Sequence, residues 1–304
     1  MKHFISLTDL TLKDFREIFQ LTEELRNNPQ RFNQVLGGKF IGLLFEKPSL
    51  RTRVSFEVGI NQLGGKAIYL SSQEVQLGKR ESIGDVAKTL SKYLQGVILR
   101  TFSHQSILEF AKNSQILVIN GLTDLLHPVQ VLSDFYTIYK RKKDLKAIKI
   151  CFVGDGNNVC NSLILGSAKL GLNLWVASPL GFEPDKDVIK KALQIVKKTR
   201  AKIRILNNPE LAVKSADVLY TDVWTSMGKE EERTWRREVF EEFRVDKDLL
   251  RLAKKNCLVM HCLPAQRGEE ISSEILDSKN SIVFEQAENR LYVQKALLAW
   301  LFRR

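Results

Sequence analysis

Short apolar runs alternate along the chain with longer stretches whose apolar positions recur at helical spacing. The runs at 40–45, 67–70, 97–99 and 116–119 are almost free of polar residues. They predict buried strands, because a strand covered on both faces reads as a continuous apolar segment. Helices are predicted at 12–26, 51–63, 82–94 and 104–112, and 127–142 keeps Val131, Phe135, Ile138 and Tyr139 at helical spacing. The alternation resumes with strands at 148–153, 174–177, 203–206, 218–220 and 258–260 and helices at 159–170, 186–199, 210–215, 246–255 and 291–302. This pattern predicts an α/β fold with mainly parallel sheets flanked by helices. With 304 residues there is material for two domains, expected at 1–144 and 145–304. The last helix, about 290–303, is expected to lie across the domains or to pack back on the first. Functional loops belong at the carboxyl ends of the strands, with an active site expected in the interdomain cleft.

Composition narrows the class. Hydrophobic residues make up 44% and charged residues 27% of the chain, the balance of a globular protein rather than a disordered one. No leader-like segment and no uncharged stretch of membrane-spanning length is evident, so a cytoplasmic location with no membrane partner is expected. Cys151, Cys160, Cys257 and Cys262 fit no zinc-finger spacing and are too few for a disulfide framework; reduced thiols and no metal are expected. The net charge of +12, from 47 Lys and Arg against 35 Asp and Glu, raises nucleic acid as a partner. The basic residues argue against it, being spread over amphipathic helices among acids and apolar positions. The sharpest cluster, at 140–143, ends a predicted helix, where cations complement the dipole.

Five segments carry chemistry. After the strand at 40–45, Pro48 stops the run and Ser49, Leu50, Arg51, Thr52 and Arg53 open a helix. The first turn of a helix offers unpaired N–H groups and the positive end of the macrodipole, and Arg51 adds a planar fork of donors suited to phosphate. Arg53 is placed for an i,i+4 pair with Glu57 instead. His127 and Gln130 share a face at another helix start, suited to polarising a carbonyl and holding an amide. The turn Gly154-Asp155-Gly156 lacks the third glycine of a dinucleotide fingerprint, since Val159 stands in its place. What remains is a tight turn presenting Asn157 and Asn158. Asp222, with Ser226, Met227 and Gly228, follows one strand, and His261, Cys262, Leu263 and Pro264 follow another. An acid there suits a cationic amine, and a thiol suits an amine or an oxyanion.

Together and in this order, these segments resemble the aspartate/ornithine transcarbamylase family. The likeness runs from Phe40 to Trp300. Ser-x-Arg-Thr-Arg and His-Pro-x-Gln are shared across that family, while Asp222 with Ser226-Met227-Gly228, His261-Cys262-Leu263-Pro264 and Glu288-Asn289-Arg290 resemble its ornithine branch. The resemblance implies transfer of the carbamoyl group of carbamoyl phosphate to the δ-amine of L-ornithine, giving L-citrulline and phosphate without a cofactor. It implies that Ser49, Leu50, Arg51, Thr52, Gln76, Arg100, His127, Gln130, Cys262, Leu263 and Arg290 bind carbamoyl phosphate. Asn158, Asp222, Ser226 and Met227 would bind ornithine. Arg51, Arg100, His127, Cys262 and Asp222 would act on the reacting groups. Gln76 would come from a neighbouring subunit, which implies a homotrimer or a multiple of trimers. Leu50 departs from the usual threonine, a feature shared with relatives acting on N-acylated ornithines. The Ser226-Met227-Gly228 match argues for free ornithine over putrescine and against aspartate. The alternatives are another amine acceptor, such as putrescine or an N-acylated ornithine, and, more remotely, a basic nucleotide- or nucleic-acid-binding protein.

Overall fold

The apolar runs fold as strands in the computed structural model, which describes residues 3–145, 148–226 and 228–303. β1 (Phe40–Phe45), β2 (Lys66–Ser71), β3 (Gly96–Arg100) and β4 (Leu117–Leu122) form a parallel sheet in the order β2-β1-β3-β4. β5 (Lys149–Val153), β6 (Asn173–Ala177), β7 (Lys202–Leu206), β8 (Val218–Thr221) and β9 (Leu258–His261) form a second one in the order β7-β6-β5-β8-β9. β3 and β4 are buried along their whole length. The edge strands β2 and β7 are only partly covered and turn Lys66, Lys202 and Arg204 to solvent, charges that discourage pairing with another chain.

The helices of the first half are α1 (Leu12–Asn27), α2 (Leu50–Gln62), α3 (Ser72–Val75), α4 (Ile83–Tyr93), α5 (His104–Asn113) and α6 (Pro128–Lys142). Those of the second are α7 (Asn158–Leu170), α8 (Lys186–Thr199), α9 (Pro209–Val213), α10 (Arg233–Val239), α11 (Lys247–Arg251), α12 (Ser273–Leu276) and α13 (Val283–Phe302). Polar residues set many of their starts: Ser49, Ser82, Ser103, Asn157 and Asp185 each accept a backbone N–H of the following first turn. Such a cap stabilises a helix by about 1 kcal/mol.

The short α3 and α12 are not predicted by the periodicity, and three further helices depart from it. α13 begins at Val283 rather than 291, because its first turns bury Gln286, Asn289 and Arg290 instead of an apolar stripe. α11 ends at Arg251 rather than 255. There the backbone tightens, with the Ala253 N–H bonded to the Leu250 carbonyl, and then leaves the helix as the Lys254 N–H turns to the Ala216 carbonyl. α10 lies in a run of charged residues without apolar periodicity and carries no helical signal in sequence.

Two compact units result, Met1–Ser133 with Glu288–Arg304 and Asp134–Ala287. The chain passes from the first to the second within α6 and returns within α13. The core of the first includes Leu44, Val97, Leu99, Ile107, Phe110 and Val118; that of the second includes Val153, Leu219, Trp224, Phe240 and Phe243. Each sheet grows first to one side and then to the other, so strand order reverses between β1 and β3 and again between β5 and β8. Crevices at the carboxyl ends of such strand pairs are where open α/β sheets bind ligands.

Candidate active site

In the first unit the reversal lies between the ends of β1 and β3, where Phe45 is paired with Arg100. The chain leaving β1 turns at Pro48 and starts α2 with Ser49, whose hydroxyl accepts the Thr52 N–H at 3.2 Å. That bond uses one of the orphan donors of the first turn. The N–H groups of Leu50 and Arg51 point out of the same turn, as a phosphate site needs. The Leu50 side chain is 72% exposed, so this residue can offer the turn its backbone N–H but no side-chain donor. Beneath the loop, Lys47 is buried, paired with Asp124 and seated 4.2 Å from the centre of the Phe102 ring.

His127 lies within the field of three arginines. This imidazole is buried and held well below its ordinary value of 6.5, first by burial and then by the charges of Arg290, Arg100 and Arg51. It is therefore a neutral ring in a positive field. Arg100 is buried at the end of β3, and Gln130 is buried one turn into α6. Arg290 is clamped from two sides. Its Nη2 donates to Thr52 Oγ1 at 2.9 Å. Ser55 gives its single hydroxyl proton to the Arg51 carbonyl at 2.6 Å, so it must accept from the Gln294 amide. That orientation turns the Gln294 oxygen to Arg290 Nη2 and Nε, at 3.0 and 3.2 Å. Buried charge-assisted bonds of this kind fix a guanidinium's direction as well as its position. Arg53 faces elsewhere, pairing with Glu57 at 3.4 Å and stacking 3.7 Å from the centre of the Tyr69 ring. Gln76 is exposed in a left-handed conformation after α3, and its amide donates to the Gln73 carbonyl.

In the second unit the reversal lies between β5 and β8, where Val153 is paired with Thr221. The Gly-Asp-Gly turn is built for close packing rather than for a dinucleotide: a Cβ on Gly156 would lie 2.2 Å from the Pro184 nitrogen. Asn157 caps α7 through its side-chain oxygen and donates its amide to Asp222 Oδ2 at 2.8 Å. Asp222, next to the end of β8, also accepts from the Cys262 thiol at 3.0 Å and from the Val223 N–H at 2.9 Å. Asn158 and Ser226 are half-buried at the same strand ends; Met227 lies outside the described residues. Burial pushes the thiols of Cys151, Cys160 and Cys257 upward, which leaves them inert, whereas Cys262 is half-buried beside a carboxylate.

Sequence spacing shows no metal-ligand set, yet the fold brings ligand-type atoms of Asp222, His261 and Cys262 within 4.8 Å of one another. Both ring nitrogens of His261 are already engaged, Nε2 with Glu270 and Nδ1 with the Leu263 N–H.

Several residues around the site had no functional signal in sequence. Arg236, buried on α10, pairs with Asp155 at 3.2 Å and with Glu232 at 2.7 Å, and donates to the Trp224 carbonyl at 2.7 Å. It thereby ties the loop after β5 to the loop after β8. In sequence it is one basic residue in a run of charges, which reads as a solvated face. Asn157 did carry a usable signal, an asparagine just before a predicted helix. Gln294 and Glu270 had none.

Comparison with known proteins adds independent evidence. Residues 2–140 match the family described as aspartate/ornithine carbamoyltransferase, carbamoyl-P binding domain, and residues 146–301 match aspartate/ornithine carbamoyltransferase, Asp/Orn binding domain. The chain is 50% identical over 302 residues to an ornithine carbamoyltransferase of Bacillus cereus, covering 99% of this chain and 95% of that protein. A solved ornithine carbamoyltransferase from Pyrococcus furiosus is 44% identical with a TM-score of 0.94, over 98% of this chain and 96% of that one. An anabolic ornithine carbamoyltransferase from Campylobacter jejuni is 38% identical with a TM-score of 0.93, over 99% of both chains.

Proposed function

The chain belongs to the aspartate/ornithine carbamoyltransferase family, and from that premise we propose that it transfers the carbamoyl group of carbamoyl phosphate to the δ-amine of L-ornithine, releasing L-citrulline and phosphate. The observation that carries the reading is the field of Arg51, Arg100 and Arg290 at the buried neutral His127, beside the capped start of α2. A cluster of this charge in a largely water-excluded setting needs an anion, and it lies at a ligand-binding strand reversal.

The N–H groups of Leu50 and Arg51, the Ser49 and Thr52 hydroxyls and the Arg51 guanidinium hold the phosphate. Arg100, His127 and Thr52 direct donors at the carbonyl oxygen, and Gln130 takes the carbamoyl amide. Arg290 stands close to the carbamoyl group, Cys262 and Leu263 lie near the side-chain amine of ornithine, and Gln76 is supplied by a second copy of the chain. Because burial, reinforced by the charges of Arg290, Arg100 and Arg51, keeps His127 neutral, its donated N–H polarises the carbonyl without surrendering a proton. Asn158, Asp222, Ser226 and Met227 hold the amino acid. The neutral δ-amine places its lone pair on the carbonyl carbon, and the oxygen becomes an oxyanion. The oxyanion then re-forms the carbonyl as the bond to phosphate oxygen breaks with its electrons leaving on phosphate, and the amine nitrogen gives its proton to the departing phosphate. Each preorganised donor at the oxyanion lowers the barrier by ~3 kcal/mol, and orientation of the two reactants supplies up to roughly 7–11 kcal/mol.

A trimer, or a multiple of one, completes the proposal. Leu50, Val54 and Val58 line one face of α2 and are 72%, 47% and 36% exposed, beside the edge strand β2 that leads to Gln76. An apolar stripe of this kind on a surface helix supports burial against another subunit, and light scattering reads the mass directly. No helix among the described residues is long and apolar enough to cross a membrane. The bacterial relatives support a cytoplasmic setting, and the anabolic relative supports a place in arginine biosynthesis.

The test is an acceptor comparison with the purified chain, supplying carbamoyl phosphate with ornithine, putrescine, N-acetylornithine or aspartate. Phosphate release that requires ornithine and yields citrulline is expected. Preference for another amine would overturn the acceptor assignment, and salt-dependent binding of nucleic acid without any transfer would overturn the enzyme reading.

A further inference from the structure

Behind Cys262, in the second unit, lies a buried dyad that the proposed chemistry does not use. His261 ends β9 and is fully buried, as is Glu270. The Leu263 N–H donates to His261 Nδ1 at 2.9 Å. A ring nitrogen that accepts a hydrogen bond carries no proton, so the ring is neutral and its one hydrogen sits on Nε2. That Nε2 stands 3.0 Å from Glu270 Oε1, and the same oxygen accepts the Gln266 N–H at 2.6 Å. One carboxylate oxygen thus sets the tautomer and ties down the chain beyond Pro264. On its other side the His261 N–H donates to Gln286 Oε1 at 3.0 Å. The Gln286 amide in turn donates to Asp134 Oδ1 at 2.8 Å and to the Tyr220 hydroxyl at 3.0 Å. The ring is therefore held at both ends.

What the ring holds is a strained turn. Leu263 has φ +56, in the left-handed region that a branched side chain enters at a cost. Its neighbour Cys262 must keep its thiol 3.0 Å from Asp222. We propose that His261 is a positioning residue of the amine half-site: in its Nε2–H tautomer, fixed by Glu270, it anchors the Leu263 N–H and so aims Cys262 at Asp222. The proposal deepens the carbamoyl-transfer reading and takes its chemistry from it. It also excludes His261 as the base for the attacking amine, since the only lone pair of the ring is occupied by the Leu263 N–H.

Two measurements test it. In the intact chain labelled at its four histidines, a long-range proton–nitrogen spectrum of the imidazoles is expected to show a neutral Nε2–H ring that disappears in His261→Asn. A ring at 261 protonated on Nδ1, or on both nitrogens, would overturn the proposal even if no variant folded. The second measurement compares His261→Asn with His261→Gln. Asparagine places an amide oxygen near the position of Nδ1 and can still accept the Leu263 N–H. Glutamine reaches toward Glu270 but leaves that N–H without its acceptor. Orphaning a buried donor predicts that His261→Gln loses roughly 10- to 100-fold more kcat/KM for ornithine than His261→Asn, with carbamoyl phosphate affinity held within about 2-fold in both. Equal losses in the two variants, or losses shared with carbamoyl phosphate binding, would show a merely structural role. A parent chain inactive with ornithine would sink the transfer reading alone, because the spectrum is read without substrate.

Discussion

Gln294→Leu probes the arginine cluster without altering any group proposed to touch substrate. The substitution is nearly volume-neutral at a buried position. It removes the oxygen that accepts from Arg290 at 3.0 and 3.2 Å and the amide that serves Ser55. Arg290 then keeps Thr52 as its partner on α2, through the 2.9 Å bond to Oγ1. Losing hydrogen bonds to a charged group costs about 1.5–3 kcal/mol. If the proposed role is right, the misdirected guanidinium is felt where the carbonyl oxygen gains charge, so the cost falls on the barrier. At about 1.4 kcal/mol per tenfold, kcat/KM for carbamoyl phosphate should fall roughly 10- to 150-fold. The assay is citrulline formation over a grid of both substrates, beside a thermal melt of each protein. A variant that melts several degrees lower yet keeps kcat/KM within about 2-fold would show that Gln294 and Arg290 only join α2 to α13, and the reasoning would fail.

Arg51→Ala should lower kcat/KM by at least ~100-fold through loss of the phosphate fork, and activity within a few-fold of the parent would refute the cradle. Cys262→Ala should raise KM for ornithine more than it weakens carbamoyl phosphate, as binding titrations of each substrate would reveal; equal effects would displace Cys262 from the amine half-site. His127 is held below 6.5 in the fold. Its contribution to stability is therefore present above pH 6.5 and is lost as pH falls toward the depressed value, and His127→Asn should flatten that part of a plot of melting temperature against pH. Asp155 has the opposite sign: burial, opposed by Arg236, pushes its carboxyl from 3.8 up to about 6. Its contribution is complete below pH 3.8 and is lost as pH rises through about 6, so Asp155→Asn should remove a decline in stability between those values. An unchanged slope would disprove that assignment.

The inner strands were legible because they are covered, and covered strands announce themselves as unbroken apolar runs, whereas the partly covered edge strands β2 and β7 carry charges among their apolar positions. The charged half-site was legible in part: Ser49, Arg51 and Thr52 stand at a helix start that proline and serine mark. Its supports were not. Gln294 and Arg290 lie on a helix whose first turns bury polar groups, and Arg236 lies in a run of charges. Hydrophobic periodicity cannot report a buried face made of hydrogen bonds. The Gly-Asp-Gly turn was legible as a turn but not in purpose, since only the packed Pro184 backbone explains why position 156 has no side chain.

Leu50 illustrates how the physical chemistry of a motif can survive a change of residue. A threonine at this position would add a hydroxyl, but the helix start is already capped by Ser49. The group that position 50 gives the proposed anion site is its backbone N–H, which leucine retains. The side chain points away and extends an exposed stripe with Val54 and Val58. Replacing a hydroxyl by an isobutyl group there exchanges a weak polar contact with water for apolar area that is stabilising only when covered. In the proposed trimer, then, the leucine bears on assembly more than on phosphate, and the helix that offers the proposed anion cradle at its first turn carries the apolar face on its flank.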